Sequence, residues 1–256
     1  MENPFHRMCW TNICKMVQIV NHKTNNKNME LYEAMQKRRT IRDFCQEKEV
    51  SDEQLERILN TAFLAPSNDH LRQIEFVVVR GREEIQKVIA PVEKNTNTIQ
   101  AAGLASAEGV MDEDEYQMFS DALPRQKRML MDSNLLILPF FRNPGIDLCH
   151  AGEQTMLNYF ASVWCSIENI LLAATNEGLG CVFRIPINDE IAHVKKTVGC
   201  PDGWDFACFL SIGYKAPDAK MPRQKVIDIK ERIHMGKFST SNKVKNTFVS
   251  VKKEAE

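Results

Sequence analysis

The pattern of apolar residues predicts a core built around one long, mostly buried helix. Between Gly152 and Gly180, apolar residues recur at helical spacing on more than one face and leave only a narrow polar strip. Polar residues such as Glu168 interrupt the run too often for a membrane span. Roughly 27 residues at 1.5 Å per residue would extend about 40 Å. We therefore expect partners on several sides of this helix, and Gly178 and Gly180 to end it.

Shorter patterns predict the remaining elements. Ser51 and Gln54 form a capping box, which predicts a helix that ends at Pro66. The β-branched run at Ile74–Arg80 predicts a central strand. Further helices are predicted to begin near residue 31 and to span residues 82–90 and 188–198, the last with Asn188 or Asp189 as its N-cap. Further strands are predicted over residues 134–141, 181–187 and 204–214. Strands and helices in this order indicate an α+β core in three layers.

Composition sets the two ends of the chain apart from this core. The polar run HKTNNKNME occupies residues 22–30, and it predicts that residues 1–29 form a loosely attached arm. We expect one domain over residues 30–236, followed by a polar tail over 237–256. Within the domain, residues 92–131 change from small to acidic to basic, and this weak pattern predicts mobile helices or a lid.

Charge and cysteine usage exclude several classes of protein. A net charge of −1 gives no general attraction to nucleic acid or to an anionic membrane. The eight cysteines form no CxxC pair and have no histidine at zinc-finger spacing, which indicates a reducing compartment, buried free thiols and no metal site. No signal peptide is evident, so we expect a cytoplasmic protein. The motifs typical of Rossmann, P-loop, α/β-hydrolase and zincin sites do not occur.

Two stretches contain candidate ligand-binding residues. Arg38, Arg39 and Arg42 lie within five residues, and they could form either a solvated charge cluster or an anion site, because arginine forks match phosphate and carbonyl oxygens. The polar segment 65–72 joins a predicted helix to a predicted strand, where ligand contacts tend to collect.

Four separated blocks, in order, resemble the FMN-dependent nitroreductase family. They are RRTIRDF (38–44), APSNDHLRQIEFVVV (65–79), IENILLAATNEGLG (167–180), and GCPDGWDFACFLSIGY (199–214) with the basic segment around Arg223. The resemblance runs from about residue 31 to residue 229. It implies a three-layer fold with a mostly antiparallel central sheet flanked by helices, and a homodimer whose interface contains the long helix.

The resemblance also implies a role for each residue of the arginine-rich block. Arg38 and Arg39, joined by Arg223, would hold the phosphate and ribityl end of FMN. Arg42 would lie near N1 and O2, where a positive charge stabilises the anionic reduced flavin. Thr40 replaces the serine of the family and keeps its hydroxyl.

The second block implies flavin contacts from a second subunit, made by Pro66, Ser67 and Asn68. His70 stands where the family has asparagine, and flavin contact and a histidine satisfied within its own loop remain equal alternatives. Other departures in this block are Arg72, Gln73 and Ile74, which replace glutamine, proline and tryptophan.

The strand after the long helix carries a further departure. The family often places a residue pair there whose backbone N–H groups face flavin N5. The matching residues are Ile185 and Pro186, and proline has no N–H, so Ile185 is the candidate for this contact.

These roles predict a homodimeric FMN oxidoreductase without a catalytic side chain, since the flavin carries the chemistry. It would take hydride from NADH or NADPH and reduce a small organic acceptor, such as a nitroaromatic, a quinone or an enone, by a ping-pong scheme. Two alternatives remain. One is another flavin reaction on the same fold, either reductive dehalogenation or flavin fragmentation, and the other is an FMN-binding dimer with little turnover.

Overall fold

The computed structural model describes residues 29–97, 111, 113–187, 189–222, 224 and 227–238. The α-helices whose two ends both lie within these residues are α1 (Leu31–Lys37), α2 (Asp52–Ala62), α3 (Arg82–Val88), α4 (Glu113–Ala122), α5 (Gln126–Asp132), α6 (Asn158–Asn176) and α7 (Glu190–Thr197). The strands are β1 (Ile74–Arg80), β2 (Leu135–Arg142), β3 (Gly180–Arg184), β4 (Trp204–Phe206) and β5 (Phe209–Gly213). None of the helices in this part of the chain has the length and apolar character that a membrane span requires.

The strands form one antiparallel sheet in the order β1-β2-β5-β3, and β4 pairs with β2 beyond the end of β5. The prediction that Ile74–Arg80 is a central strand is wrong, because β1 lies at the edge of the described sheet. Its apolar residues are mostly half-buried and Glu75 is exposed. The central strand is β2, in which every residue from Leu135 to Phe141 is buried.

Helices cover both faces of the sheet and give an α+β fold in three layers, as predicted. On one face, α2 and α6 pack on the sheet through residues such as Ile58 and Ile167. On the other face, α3, α5 and α7 contribute Ile85, Leu130 and Val194 to a second cluster. Since both faces are covered by apolar side chains, the sheet forms the middle layer.

The long helix is confirmed, but it starts later than predicted. Gly152 has a φ of 73°, and the chain then passes through a 3₁₀ turn at Gln154–Leu157 before α6 begins at Asn158. The helix has 19 residues and is about 28 Å long. Gly178, with a φ of 76°, follows its C-terminus as predicted, whereas Gly180 is the first residue of β3.

The capping box is confirmed at the start of α2. Ser51 Oγ accepts a hydrogen bond from Gln54 N at 3.2 Å, and Gln54 Oε1 accepts one from Ser51 N at 3.2 Å. The helix ends at Ala62, four residues before the predicted end at Pro66.

The predicted strand over 204–214 is in fact two strands, β4 and β5. Between the pairs Phe140↔Phe206 and Ile137↔Leu210, β2 advances three residues and its partner advances four. One extra residue must therefore be accommodated beside Pro139, and this is the geometry of a β-bulge. Pro139 has no N–H for the ladder, which explains why the pairing breaks there.

The described part of the segment 92–131 ends in the core. Met129, Leu130 and Met131 of α5 are buried, so this end of the segment belongs to the scaffold. The predicted lid also includes residues 98–110 and 112, which lie outside the described residues. The expected burial of the thiols holds for Cys181 and Cys208 and is wrong for two exposed ones, Cys149 and Cys165.

Candidate functional site

The arginine-rich block follows α1 and is attached to β3. Thr40 forms a parallel bridge with Cys181, and Ile41 N donates to Cys181 O at 3.0 Å. Burial raises the pKa of Cys181 to about 11, and the nearby positive charge of Arg38 acts in the opposite direction. Arg39 Nη1 donates to the carbonyls of Gln36 and Arg38 at the end of α1. Arg39 is thus partly engaged in capping a helix C-terminus.

Arg42 of this block lines a pocket. The pocket has a volume of about 260 Å³ and is lined by Arg42, Gln117, Met118, Asp121, Arg125, Lys220, Met221 and Pro222. We call it the Arg42 pocket. Burial lowers the pKa of Arg42, and the positive charge of Arg125 lowers it further, although Asp121 and Asp43 act in the opposite direction. Arg42 Nε is buried and forms no hydrogen bond within the described residues.

Asp43 and Asp121 pair with other cations in and beside this pocket. Arg125 bridges the two carboxylates, at 3.0 Å to Asp43 Oδ2 and 2.7 Å to Asp121 Oδ1. Arg128 also contacts Asp43, and Lys220 Nζ lies 3.6 Å from Asp121. The carboxylates therefore pair with Arg125, Arg128 and Lys220 directly, while Arg42 has no direct ion pair among the described residues.

Sequence reasoning missed these charged neighbours of Arg42. Asp43 lies inside the RRTIRDF block, and Arg125 lies in the basic run LPRQKRM. Both were visible as charges, but 82 residues separate them, and no local spacing indicates that they form an ion pair.

The loop before β1 is attached to the N-terminal half of α6. Asn68 N donates to Ser162 Oγ at 2.9 Å, and Asn158 Nδ2 donates to Asn68 Oδ1 at 3.3 Å. Ser67 Oγ accepts from Arg72 N at 3.2 Å. These bonds fix the position of the loop on the same side of the sheet as α6.

The backbone of this loop is strained at three positions that are not glycine. Asp69, His70 and Arg72 have φ values of 47°, 56° and 47°, which cost free energy for residues with a side chain. Pro66 and His70 are exposed. None of the predicted contacts from this loop, Pro66, Ser67, Asn68 and His70, lines the Arg42 pocket of the same chain.

A second pocket lies at the end of β3. It has a volume of about 250 Å³ and is lined by Thr96, Leu123, Gln126, Phe183, Arg184, Ile185 and Ile187. We call it the Ile185 pocket. Thr96 is 5% exposed, and its Oγ1 has no hydrogen-bond partner within the described residues. Residues 123–126, at the junction of α4 and α5, contribute to both pockets, because Arg125 lines the first while Leu123 and Gln126 line the second.

Of the predicted site residues, Arg42 and Ile185 thus line two neighbouring pockets. Arg223 lies outside the described residues, as does the predicted helix cap Asn188. No group of three or more histidine, cysteine or acidic side chains within the described ranges could hold a metal ion.

Comparison with known proteins adds a family and a fold. A model described as "Nitroreductase family" matches residues 35–214. A putative NADH dehydrogenase/NAD(P)H nitroreductase from Methanothermobacter thermautotrophicus is 27% identical over 212 residues, which cover 82% of this chain and 88% of that protein. Human iodotyrosine deiodinase 1 is 27% identical over 205 residues, 77% of this chain, and the match spans 65% of its length, just under two thirds.

Solved structures show the same fold. The crystal structure of oxidized iodotyrosine deiodinase bound to FMN and 3-iodo-L-tyrosine superposes with a TM-score of 0.62 at 24% identity, and the match covers 82% of this chain and 100% of that one. At this identity the likeness concerns the fold alone.

Proposed function

Because the chain belongs to the nitroreductase family, we propose that it is an FMN-dependent oxidoreductase. It takes hydride from NADH or NADPH and reduces a small, uncharged organic acceptor, such as a nitroaromatic, a quinone or an enone, by a ping-pong scheme. When bound, FMN supplies the hydride-transfer chemistry. The chain's own residues then have to bind and orient it, stabilise negative charge and exclude water.

The observation that carries this proposal is the buried, unpartnered Nε of the half-buried Arg42. A buried N–H without a partner costs about 1 to 3 kcal/mol, and more on a charged group. Arg42 Nε is such a group, it borders an open pocket, and the neighbouring Arg125 adds positive charge. The oxygens of a flavin's pyrimidine edge, or an anionic group, would supply the missing acceptor. The residues present therefore fit FMN at this position.

The remaining phosphate contacts stay predictions of the resemblance. Arg38 is half-buried beside β3, and Arg39 retains guanidinium nitrogens beyond the Nη1 that caps α1. Together with Arg223 they would hold the phosphate, and Thr40 would add its hydroxyl. Pro66, Ser67, Asn68 and His70 would reach the flavin from a second subunit.

The Ile185 pocket favours an uncharged ring as its occupant. Phe183, Ile185 and Leu123 make much of its surface apolar. Arg184 also borders it, but Glu190 neutralises its charge through a buried ion pair. Thr96 Oγ1 offers a hydrogen bond to a polar substituent on such a ring.

Reductive dehalogenation of an iodinated aromatic is the second candidate. Relatives described as iodotyrosine deiodinases favour it. An amino acid substrate, however, needs partners for both its ammonium and its carboxylate, and the one ionised group of the Ile185 pocket within the described residues is already paired.

Anaerobic reduction of the purified protein tests the proposal. We expect flavin absorbance in the visible spectrum, loss of this absorbance on addition of NADH or NADPH, and its return on addition of a quinone or nitroaromatic. A sample that shows no flavin absorbance after incubation with FMN would overturn the proposal. Reduction by dithionite but by neither nicotinamide, followed by reoxidation with 3-iodo-L-tyrosine, would favour the second candidate.

A further inference from the structure

The turn that follows β3 leaves one backbone donor available beside the Ile185 pocket. Of its three residues, Pro186 has no N–H. The N–H of Ile187 donates to Glu190 Oε2 at 3.0 Å. Ile185 N–H forms no hydrogen bond within the described residues, and Ile185 lines the pocket with half of its surface exposed.

The carboxylate of Glu190 accepts the hydrogen bonds that fix this turn. Arg184 Nη2 donates to Glu190 Oε1 at 2.8 Å, and Arg184 Nη1 contacts Oε2 and also donates to Ile185 O at 3.4 Å. Asn95 Nδ2 donates to Glu190 Oε1 at 3.2 Å. The carboxylate thus receives hydrogen bonds from both arginine Nη atoms, from Asn95 and from the turn itself.

Stability alone is a poor explanation for this arrangement. The side chains of Arg184 and Glu190 are 6% and 0% exposed, and removing two charges from water costs about as much as their attraction returns. Apolar residues of similar size often stabilise such a position equally well. Apolar side chains could not, however, accept the hydrogen bond from Ile187 N or donate one to Ile185 O. The buried pair therefore fixes a geometry that packing alone would leave free.

We infer that Glu190, together with Arg184, is a positioning residue that holds residues 185–187 so that the Ile185 N–H is a preorganised donor to the ligand of the Ile185 pocket. Preorganised donors stabilise developing charge without reorganisation during reaction. The ligand chemistry is a planar ring with a hydrogen-bond acceptor at its edge. That the flavin presents its N5 edge to this donor, at the rim of the pocket that the acceptor ring would fill, rests on the proposed function.

Amide exchange in the FMN-free protein tests the inference without relying on activity. In Glu190→Gln, two of the four donors must face the amide NH₂ group of the new side chain instead of an oxygen. We expect the Ile187 amide to exchange with solvent at least about tenfold faster than in the wild type, measured residue by residue by NMR. Exchange in the distant helix α2 should stay unchanged. A wild-type exchange rate at Ile187 in this variant would overturn the inference.

The double variant Arg184→Met with Glu190→Leu separates positioning from stability. We expect a melting temperature close to that of the wild type, because the buried charges are removed as a pair. We also expect faster Ile187 exchange, a shifted ¹⁵N resonance of N5 in bound ¹⁵N-labelled FMN, and a shifted flavin midpoint potential. Wild-type values for exchange, N5 resonance and potential would show that the pair has no positioning role.

Glu177→Gln is the matched control. It removes a carboxylate from another bidentate arginine pair, with Arg57 at 2.7 and 2.8 Å, and neither residue lines the pocket. It should leave Ile187 exchange and the N5 resonance unchanged, and a change equal to that of Glu190→Gln would overturn the inference. If the wild type binds no FMN, the proposed function fails, whereas the exchange experiment still decides the role of Glu190.

Discussion

Within the chain, Arg42 carries an electrostatic cost that its neighbours do not offset. Burial and the charge of Arg125 both lower its pKa, and its Nε has no acceptor within the described residues. Both effects disfavour the charged guanidinium. A ligand that supplies oxygen acceptors would remove this cost, so the same residue that destabilises the protein alone would stabilise the complex.

Replacing Arg42 with methionine should therefore separate stability from binding. We expect the free energy of unfolding without FMN to be unchanged or higher, because a half-buried cation with an unpartnered Nε is removed. The FMN dissociation constant should rise about tenfold or more, since a charged hydrogen bond contributes roughly 1.5 to 3 kcal/mol. Urea unfolding and titration of flavin fluorescence measure the two quantities.

Arg57→Met serves as the control for this experiment, because Arg57 does not line the Arg42 pocket. It should lower stability through loss of its ion pair with Glu177 and leave FMN affinity unchanged. An Arg42→Met protein that binds FMN as tightly as the wild type would contradict the assignment of Arg42 to the flavin.

At the scale of residues, sequence shows types and local spacing but not pairs that form across the fold. Arg42 and Ile185 could be identified because they lie in blocks of contiguous residues. Asn95 and Glu190 could not, because they are 95 residues apart and become partners only when α7 packs near the start of the segment 92–131. The polarity of Glu190 predicts an exposed residue, yet it is fully buried.

At the scale of elements, Gly180 allows the arginine-rich block to lie directly on β3. A Cβ atom added to Gly180 would meet Ile41 Cβ and Cγ2 at 2.9 Å. This close approach supports the hydrogen bond from Ile41 N to Cys181 O. The role of Gly180 is thus to permit contact between two chain segments and not to end α6.

Gly180→Ala should displace the segment that carries Arg38 and Arg42. We expect a loss of about 1 to 3 kcal/mol in the free energy of unfolding, typical of overpacking, together with weaker FMN binding. Gly178→Ala is the comparison, because a Cβ there would meet nothing within 4 Å and the cost comes from its positive φ alone. If both variants bind FMN equally well, the contact does not position the block.

The ion pair between Arg57 of α2 and Glu177 after α6 predicts a pH dependence. The hydrogen bonds from Arg57 lower the pKa of Glu177. A carboxyl group whose pKa is lower in the folded state contributes stability above its unfolded pKa, and this contribution is lost as the pH falls through the folded value. Glu177→Gln should therefore cost about 1 kcal/mol near neutral pH, and the difference from the wild type should disappear in acid.

Urea unfolding of both proteins between about pH 7 and pH 3 measures this effect. The difference in the free energy of unfolding between the two proteins should begin to decrease as the pH falls to the unfolded pKa of glutamate. Because half of the Arg57 side chain is exposed, added salt should reduce it as well. A difference that stays constant across this range would show that charge is not the source of the stabilisation.

Element boundaries were harder to predict than element types, for physical reasons specific to each. The bulge between β4 and β5 depends on how these residues pair with Pro139 of β2, a strand some 65 residues earlier in sequence. The late start of α6 depends on the left-handed conformation of Gly152, which apolar periodicity does not reveal. Ser51 and Gln54 predicted the start of α2 correctly because a capping box is complete within four residues.

At the scale of the whole molecule, two described helices expose surface that suits a second copy of the chain. On α1, Leu31, Tyr32 and Met35 are 59%, 78% and 48% exposed. This helix packs on α6, whose outer face exposes Ala161 and Cys165. We propose, in agreement with the resemblance, that this surface forms the interface of a homodimer. The flavin site would then be completed by Pro66, Ser67, Asn68 and His70 of the other subunit.

Cys165→Arg tests the dimer and the shared site together. Light scattering after size-exclusion chromatography should give about twice the chain mass of 29.4 kDa for the wild type and a monomer for the variant, because a charged, bulky side chain replaces a small one at the interface. The monomer should also lose FMN, since four of the ten predicted contact residues would be missing. Cys149→Arg is the matched control, because Cys149 is also exposed but lies in a 3₁₀ turn outside α6, and this variant should remain a flavin-binding dimer. A wild-type monomer that retains FMN would contradict both the interface and the two-chain site, and the flavin contacts would then have to come from residues of one chain.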